Sequence, residues 1–338
     1  MTRGPVAPTP VIIDTDPGLG VPGADIDDGI AIALALASVE LDVKALTVVN
    51  GNVDVDTGVS NAVRLLQRLG RSDVPVFRGA GSPLLRDMGP VREIFARFLS
   101  GPDAQGTARE MLSATSTTPA ARYLVEAAAA APKEITVIAI GPMTNLAIAL
   151  ALDPSFAQNV AELLLMAGSA TTYAQNMTVV GDFNAYVDPE ALAIVLASGA
   201  PIRMVGLDQT SQVMLTRGDA EALGQTADDF NGWLAECTYA WISFLARSFP
   251  NRPEHREACF LHDPLVVATV SEPSLCSWAD AHVQVETKSE LTRGLVVADR
   301  ALALVPPAGT PNASVAVRTN VNAFHDHLMS RLLKLPLH

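Results

Sequence analysis

The stretch 11-VIIDTDPGLGVPGADIDDGIAIALALAS-38 decides the fold. VIID (11–14) is a short apolar run ending in an aspartate, and 27–38 carries the alanine-rich apolar pattern of a buried helix. A strand, a turn punctuated by Gly and Pro, and a helix make half of a βαβ unit. The turn raises a chemical question, because Asp14, Asp16, Asp25, Asp27 and Asp28 crowd into it within fifteen residues.

The same alternation continues outward. VKALTVV (43–49), ITVIAI (135–140), ELLLM (162–166) and IRMVG (202–206) read as strands. Helical patterns follow over 56–69, from about 143, and near 188–198. Strands that are apolar on both faces belong to a parallel sheet covered by helices. The expected fold is therefore α/β, doubly wound, with a mostly parallel central sheet flanked by helices. Residues 79–116 read as surface loop around one short helix (91–99), and 217–249 as helical. The last third adds strands near 282–286 and 294–298 and a helix from about 321. With no repeat and no long linker, a single domain over 1–338 is expected, its residues 1–9 flexible. In such sheets ligands sit beyond the carboxyl ends of the strands. The aspartates, 51-GN-52 and 141-GPMTN-145 all fall at that edge.

Bulk composition narrows the function. The chain has 338 residues, 49% hydrophobic and 17% charged, ample for a large core. A net charge of −13 argues against a nucleic-acid partner and against an anionic membrane surface. Cys237, Cys259 and Cys276 are an odd count without metal-ligand spacing, which fits a reducing compartment. MTRGPVAPTP lacks the apolar run of a secretory signal, and 124-LVEAAAAAP-132 is too short to span a bilayer. The expectation is a soluble, cytoplasmic protein acting on a small molecule.

One aspartate at a strand end is usually a cap or a turn residue, and Asp25, Asp27 or Asp28 alone would fit that reading. The set is different. Carboxylates brought within a few ångströms must take up protons or share a cation. Oxygen donors select a hard ion, Ca²⁺ or Mg²⁺, whereas zinc would want His or Cys nearby. A D-x-D closing the first strand also occurs in haloacid-dehalogenase-like phosphatases. Those need D-x-D-x-T/V and a later lysine with an acidic pair; here Pro17 and Gly18 follow Asp16.

The remaining motifs favour another family. 14-DTDPG-18 with 27-DD-28, 47-TVVNGNV-53, 141-GPMTNLAIAL-150, 166-MAG-168, 181-GDFNAYVDPEA-191, 261-LHDP-264 and 285-VETKSELTRG-294 occur in order. Together they resemble the inosine–uridine-preferring nucleoside hydrolase family over nearly the whole chain. The resemblance implies Ca²⁺-dependent hydrolysis of the N-glycosidic bond of ribonucleosides. It places Asp16, Asp28 and Asp263 as carboxylate ligands and the backbone carbonyl of Thr144 beside them. Asp16 would be the general base toward a water activated by the ion, with Asp14 as a brace. Asp27, Asn52, Asn176, Asp182 and Asn184 would hold the ribose, Met166 and Phe183 would wall the pocket, and His262 would protonate the leaving base. A homodimer or homotetramer is implied as well.

Each residue also has a plainer reading. Asn52 suits a turn after Gly51, Thr144 and Asn145 suit a helix cap, Asn184 and Asp188 suit a loop, and His262 suits a satisfied core histidine. Trp233, Tyr239 and Trp241 read as core before pocket wall. Four features depart from the family. The segment 19-LGVPGADI-26 lengthens the aspartate loop, bringing Asp25 as a possible extra ligand. The loop near 99–108 lacks a histidine, and Gln175 stands where glycine is usual. Asp182 is one methylene shorter than the family's glutamate. Hydrolysis of another N-ribosyl compound, and metal-dependent nucleoside binding without catalysis, remain alternatives.

Overall fold

The computed structural model describes residues 7–96, 115–172, 174, 176–226, 228–301 and 309–335. Its strands are β1 (Thr9–Thr15), β2 (Leu41–Val48), β3 (Val76–Arg78), β4 (Thr136–Ala139), β5 (Glu162–Met166), β6 (Ile202–Val205), β7 (Met214–Thr216), β8 (Ala258–Phe260), β9 (Cys276–Val285), β10 (Val296–Asp299) and β11 (Ala313–Thr319). Nine of them form one sheet in the order β10-β9-β11-β6-β5-β4-β1-β2-β3, and β7 pairs with β8. From β3 across to β11 every pairing is parallel; β9 and β10 add an antiparallel edge. The chain runs outward from β1 through β2 to β3, then returns to the other side of β1 as β4. The strand order therefore reverses between β1 and β4, which is where α/β sheets open a crevice for ligands.

The strands show why the sheet is covered on both faces. Val11 and Ile13 of β1 pack into one core and Ile12 into the other. Ile138 against Val137 and Ala139, and Leu164 and Met166 against Leu163 and Leu165, divide the same way. Period-2 alternation with both sides apolar buries each side chain, worth about 1.5–3 kcal/mol for a Val, Leu or Ile. The helices used below are α1 (Asp27–Ala37), α2 (Val55–Arg68), α3 (Thr144–Leu152), α4 (Phe183–Val187), α5 (Pro189–Leu196), α6 (Asp229–Ser248), α7 (His262–Ser271) and α8 (Val321–Leu332). Ten of the eleven residues of α1 are buried, as its lack of a polar face demands.

The doubly wound expectation holds, with local differences. β3, β7, β8 and β11 were not legible: β3, β7 and β8 have three residues each, and β11 carries Ser314 and Arg318 within its run. The helical reading of 217–249 breaks in two, because Asp228 caps α6 through the backbone N–H groups of Phe230 and Asn231. The helix expected over 91–99 runs Gly89–Ala96; its last part, the 99–108 loop, Gln175 and the first six residues lie outside the described residues. Among the described residues no helix is long and apolar enough to cross a membrane.

Asp188 ties three segments together at the ligand edge. It caps α5 through Ala191 N–H (3.0 Å), accepts Leu84 N–H (2.9 Å) and accepts the Thr144 hydroxyl (2.7 Å). Asp188→Ala strands these donors in a buried place and removes a cap. The expected cost is about 2–4 kcal/mol, read as a lower denaturant midpoint at unchanged m-value.

Candidate active site at the reversal of strand order

Asp14 and Asp16 leave the end of β1 on either side of Thr15. Asp14 pairs in register with Thr47 of β2 and Ala139 of β4, so it sits inside the sheet. Its Oδ1 accepts from the Thr47 hydroxyl and from Asn145 Nδ2 (2.8 Å), while its Oδ2 has no partner. Burial holds this carboxyl up at about 7. Asp14 thus joins β1, β2 and α3.

Asp16 lies one step further on. Its Oδ2 accepts Asn52 N–H at 2.7 Å, and its Oδ1 is buried with no hydrogen-bond partner. Two glycines make room for it. A Cβ on Gly51 would stand 1.8 Å from Asp16 Oδ2, and one on Gly141 would stand 2.8 Å from Oδ1. Only a residue without a side chain lets the β2 and β4 ends close around this carboxylate.

The lengthened loop then returns the chain to the same spot. Gly20 and Gly23 take φ of +94° and +83°, and Val21 and Ala24 N–H groups bond back to the carbonyls of Gly18 and Val21. Leu19 turns inward against Gly29 of α1, and Gly18 lies against the Asp25 carbonyl. The loop closes on itself, and Asp27 and Asp28 open α1 directly beside Asp16. Asp28 accepts from the Thr15 hydroxyl, Asp16 N–H (3.1 Å) and Asn52 Nδ2 (2.9 Å). Asp27 Oδ2 accepts the N–H groups of His262 (3.1 Å) and Asp263 (3.3 Å), pinning the start of α7 to the start of α1.

Carboxylate oxygens of Asp27, Asp28 and Asp263 lie within 4.8 Å of one another, all buried. Burial first, then the facing carboxylates, pushes Asp16, Asp27 and Asp263 well above the usual aspartate range; burial raises Asp28 against the hydrogen bonds it accepts, and Asp25 rises to about 6. No ion pair among the described residues reaches any of them. A cation fits this donor set. Oxygens on opposite sides of a Ca²⁺ shell stand about 4.6–5.2 Å apart, and Asp16 brings a further buried oxygen with no partner.

Thr144 is the fully buried first residue of α3, and its hydroxyl is taken by Asp188. Its side chain is therefore committed to the framework, which leaves only the backbone carbonyl for the role the resemblance implies. Ile140, just past the end of β4, lines the small cavity, and its carbonyl accepts Asn184 Nδ2 at 2.8 Å.

Above the carboxylates lies a polar cavity of about 40 Å³, walled by Asp27, Asn52, Met166, Asn176, Asp182, Asn184 and Asp263 among others. It opens into a larger chamber of about 370 Å³; Asp25, Asn52, Asn176, Phe183 and His262 belong to both and form the neck. The expected ribose residues are therefore gathered in one place, with two differences in detail. The Asn52 side-chain amide is occupied with Asp28, and Asp182 is taken up as the cap of α4. Its Oδ1 accepts the N–H groups of Asn184 (3.0 Å) and Ala185 (3.2 Å), its Oδ2 accepts Gly168 N–H, and burial lifts it to about 6.

His262 reaches the neck, with Nδ1 2.8 Å from the Thr210 hydroxyl. Burial lowers it to about 4, so at neutral pH the ring is uncharged. Most of the larger chamber gave no sign of itself in the sequence. Trp241, Phe244, Phe249 and Phe260 line it. Trp233 and Tyr239 lie elsewhere: Trp233 packs on Phe230 under Arg68, and the Tyr239 hydroxyl donates to the Arg217 carbonyl. One face of α6 builds the chamber, and the helix's weak periodicity gave no signal of which.

Comparison with known proteins agrees with this geometry. A family model described as inosine-uridine preferring nucleoside hydrolase matches residues 11–326. The pyrimidine-specific ribonucleoside hydrolase RihA of Citrobacter koseri is 35% identical over 324 residues, covering 96% of this chain and 97% of that protein. Among solved structures, a plant nucleoside hydrolase superposes with a TM-score of 0.81 at 32% identity, over 97% of this chain and 100% of that one. A purine-preferring ribonucleoside hydrolase from Gardnerella vaginalis gives 0.81 at 28%, over 96% and 98%. With this cleft at the reversal point of this sheet, the chain belongs to the inosine-uridine preferring nucleoside hydrolase family, a family of N-glycosyl hydrolases.

Proposed function

We propose that this protein hydrolyses the N-glycosidic bond of ribonucleosides to free base and ribose, with Ca²⁺ held by Asp16, Asp28, Asp263 and the Thr144 carbonyl. The observation that carries this reading is the meeting of buried, uncompensated carboxylates from opposite ends of the chain at the floor of a two-part cleft. The polar cavity suits a ribose and the aromatic chamber a base, which sets the glycosidic bond at the neck.

Bound in this cluster, a divalent cation polarises a water molecule and lowers its pKa toward neutrality. The protein's own groups do the rest. Asp16 Oδ1, fixed through its partner oxygen by Asn52 N–H, is the acceptor for the proton of the attacking water. A backbone carbonyl has two lone pairs, so that of Thr144 can serve α3 and the ion together. Asn176, Asn184 and Asp27 edge the cavity where ribose hydroxyls lie, and their dipoles and charge orient the sugar. Cleavage spreads positive charge over the ribosyl ring, and the carboxylates beneath it stabilise that charge. His262 stands at the neck as a neutral hydrogen-bond donor to the leaving base, its Nδ1 held by the Thr210 hydroxyl, which can donate to it and so leave the proton on Nε2. Cytoplasmic residence and a homodimer or homotetramer complete the reading.

Three measurements test it. Exhaustive chelation should abolish release of reducing sugar from a nucleoside panel, and Ca²⁺ should restore it. Ca²⁺ at about a hundred times its dissociation constant adds about 2.7 kcal/mol of stability, so Tm should rise by several degrees. Full turnover after chelation with an unchanged Tm would sink the metal assignment. Asp16→Asn should lower kcat by about 10²–10⁴ with KM little changed, as loss of a general base does. Gly51→Ala drives a methyl into Asp16 and should cost at least about a hundredfold in kcat/KM, while far-ultraviolet circular dichroism stays native.

A further inference from the structure

The far wall of the larger chamber includes Ser211, Trp241, Phe244, Phe249, Arg252 and His255. Arg and Trp can only donate hydrogen bonds, and Phe does neither. His255 is the group whose role the packing settles. It is 6% exposed, on a short turn of 3-10 helix (Pro253–Arg256) whose His255 N–H bonds to the Arg252 carbonyl. Its ring is wedged between Phe249 (centroids 5.9 Å apart) and Phe260 (5.4 Å, edge-on), which fixes its orientation.

Nδ1 is buried with no hydrogen-bond partner. Nε2 makes no bond to any described residue and is not among the sealed-off atoms, so it is the nitrogen open to the chamber that His255 lines. Burial and the nearby Arg252 charge disfavour the imidazolium. A neutral imidazole carries one N–H. On Nδ1 that proton would be an enclosed orphan donor, the costlier kind of unsatisfied group. On Nε2 it faces the chamber.

We infer that His255 Nε2–H reads the edge of the leaving base, donating to a carbonyl oxygen or ring nitrogen and disfavouring an exocyclic amino group there. The inference rests on the nucleoside hydrolase reading and adds a specificity-determining residue to it. A buried donor that finds no acceptor remains unpaired, which is why such sites discriminate strongly.

The test compares kcat/KM for uridine, cytidine, inosine, adenosine and 4-nitrophenyl β-ribofuranoside in the wild type, His255→Phe and His255→Gln. The nitrophenyl riboside reports ribose and metal function independently of a base edge. In His255→Phe, values for uridine and inosine should fall about tenfold to a hundredfold. The uridine-to-cytidine and inosine-to-adenosine ratios should fall with them, and the nitrophenyl riboside should stay within about threefold. His255→Gln, which keeps a donor, should recover part of the ratio. Unchanged ratios, or an equal loss on the nitrophenyl riboside, overturn the assignment of His255 while leaving the hydrolase reading intact. A wild type that turns over no riboside overturns both.

Discussion

Like charges without counter-charge are the constraint on which this structure depends. Asp16, Asp27, Asp28 and Asp263 are at most 4% exposed. An isolated buried carboxylate is expensive, and several together more so. The fold meets part of that cost with hydrogen bonds: Asp28 accepts three, and Asp27 accepts the amides that begin α7. Burial and the remaining repulsion still hold the group well above the ordinary aspartate range. Protonation or a shared cation relieves it, and only the cation leaves the oxygens charged for use on a developing ribosyl cation.

The backbone is shaped around that demand. Reversal of strand order leaves a gap between the ends of β1 and β4, and Gly51 and Gly141 keep the gap free of side chains. The segment 19–26 would separate the two halves of the cluster were it extended. Two positive-φ glycines fold it back, and Leu19 anchors it on α1. The loop thereby runs out and back without moving its ends apart. It also delivers Asp25 to the neck, where it lines both cavities.

Much of this was legible in the sequence for a physical reason. Strands buried on both faces have no choice but to be continuously apolar, so β1, β2, β4, β5 and β6 stood out, and β5 was read to the residue. The acidic cluster stood out because aspartates massed beside a buried strand repel one another unless they share a positive charge. What stayed hidden depends on distance through space. Asp182 reads as a ribose contact from its motif, but that its oxygens also accept backbone amides of α4 and Gly168 shows only in the fold. His262 reads as an acid from its place beside Asp263; the burial that lowers its pKa to about 4 is invisible in sequence. The aromatic chamber draws on α6, the turn after it and β8, elements with no shared motif.

On the proposed reading, division of the cleft follows from the reaction. The sugar end must stabilise positive charge, so it is small, polar and floored by carboxylates; the base end must desolvate a flat ring, so it is wide and aromatic. The two ends come from different parts of the chain. Asp27 connects them, because the amides it holds belong to His262 and Asp263, one at the neck and one in the acidic cluster. A shift of α7 would therefore disturb the acidic cluster and both cavities together. On the proposed reading, an ion shared by Asp28 and Asp263, about 235 positions apart in the chain, would hold α1 and α7 together and so couple occupancy of the site to the rigidity of the base chamber.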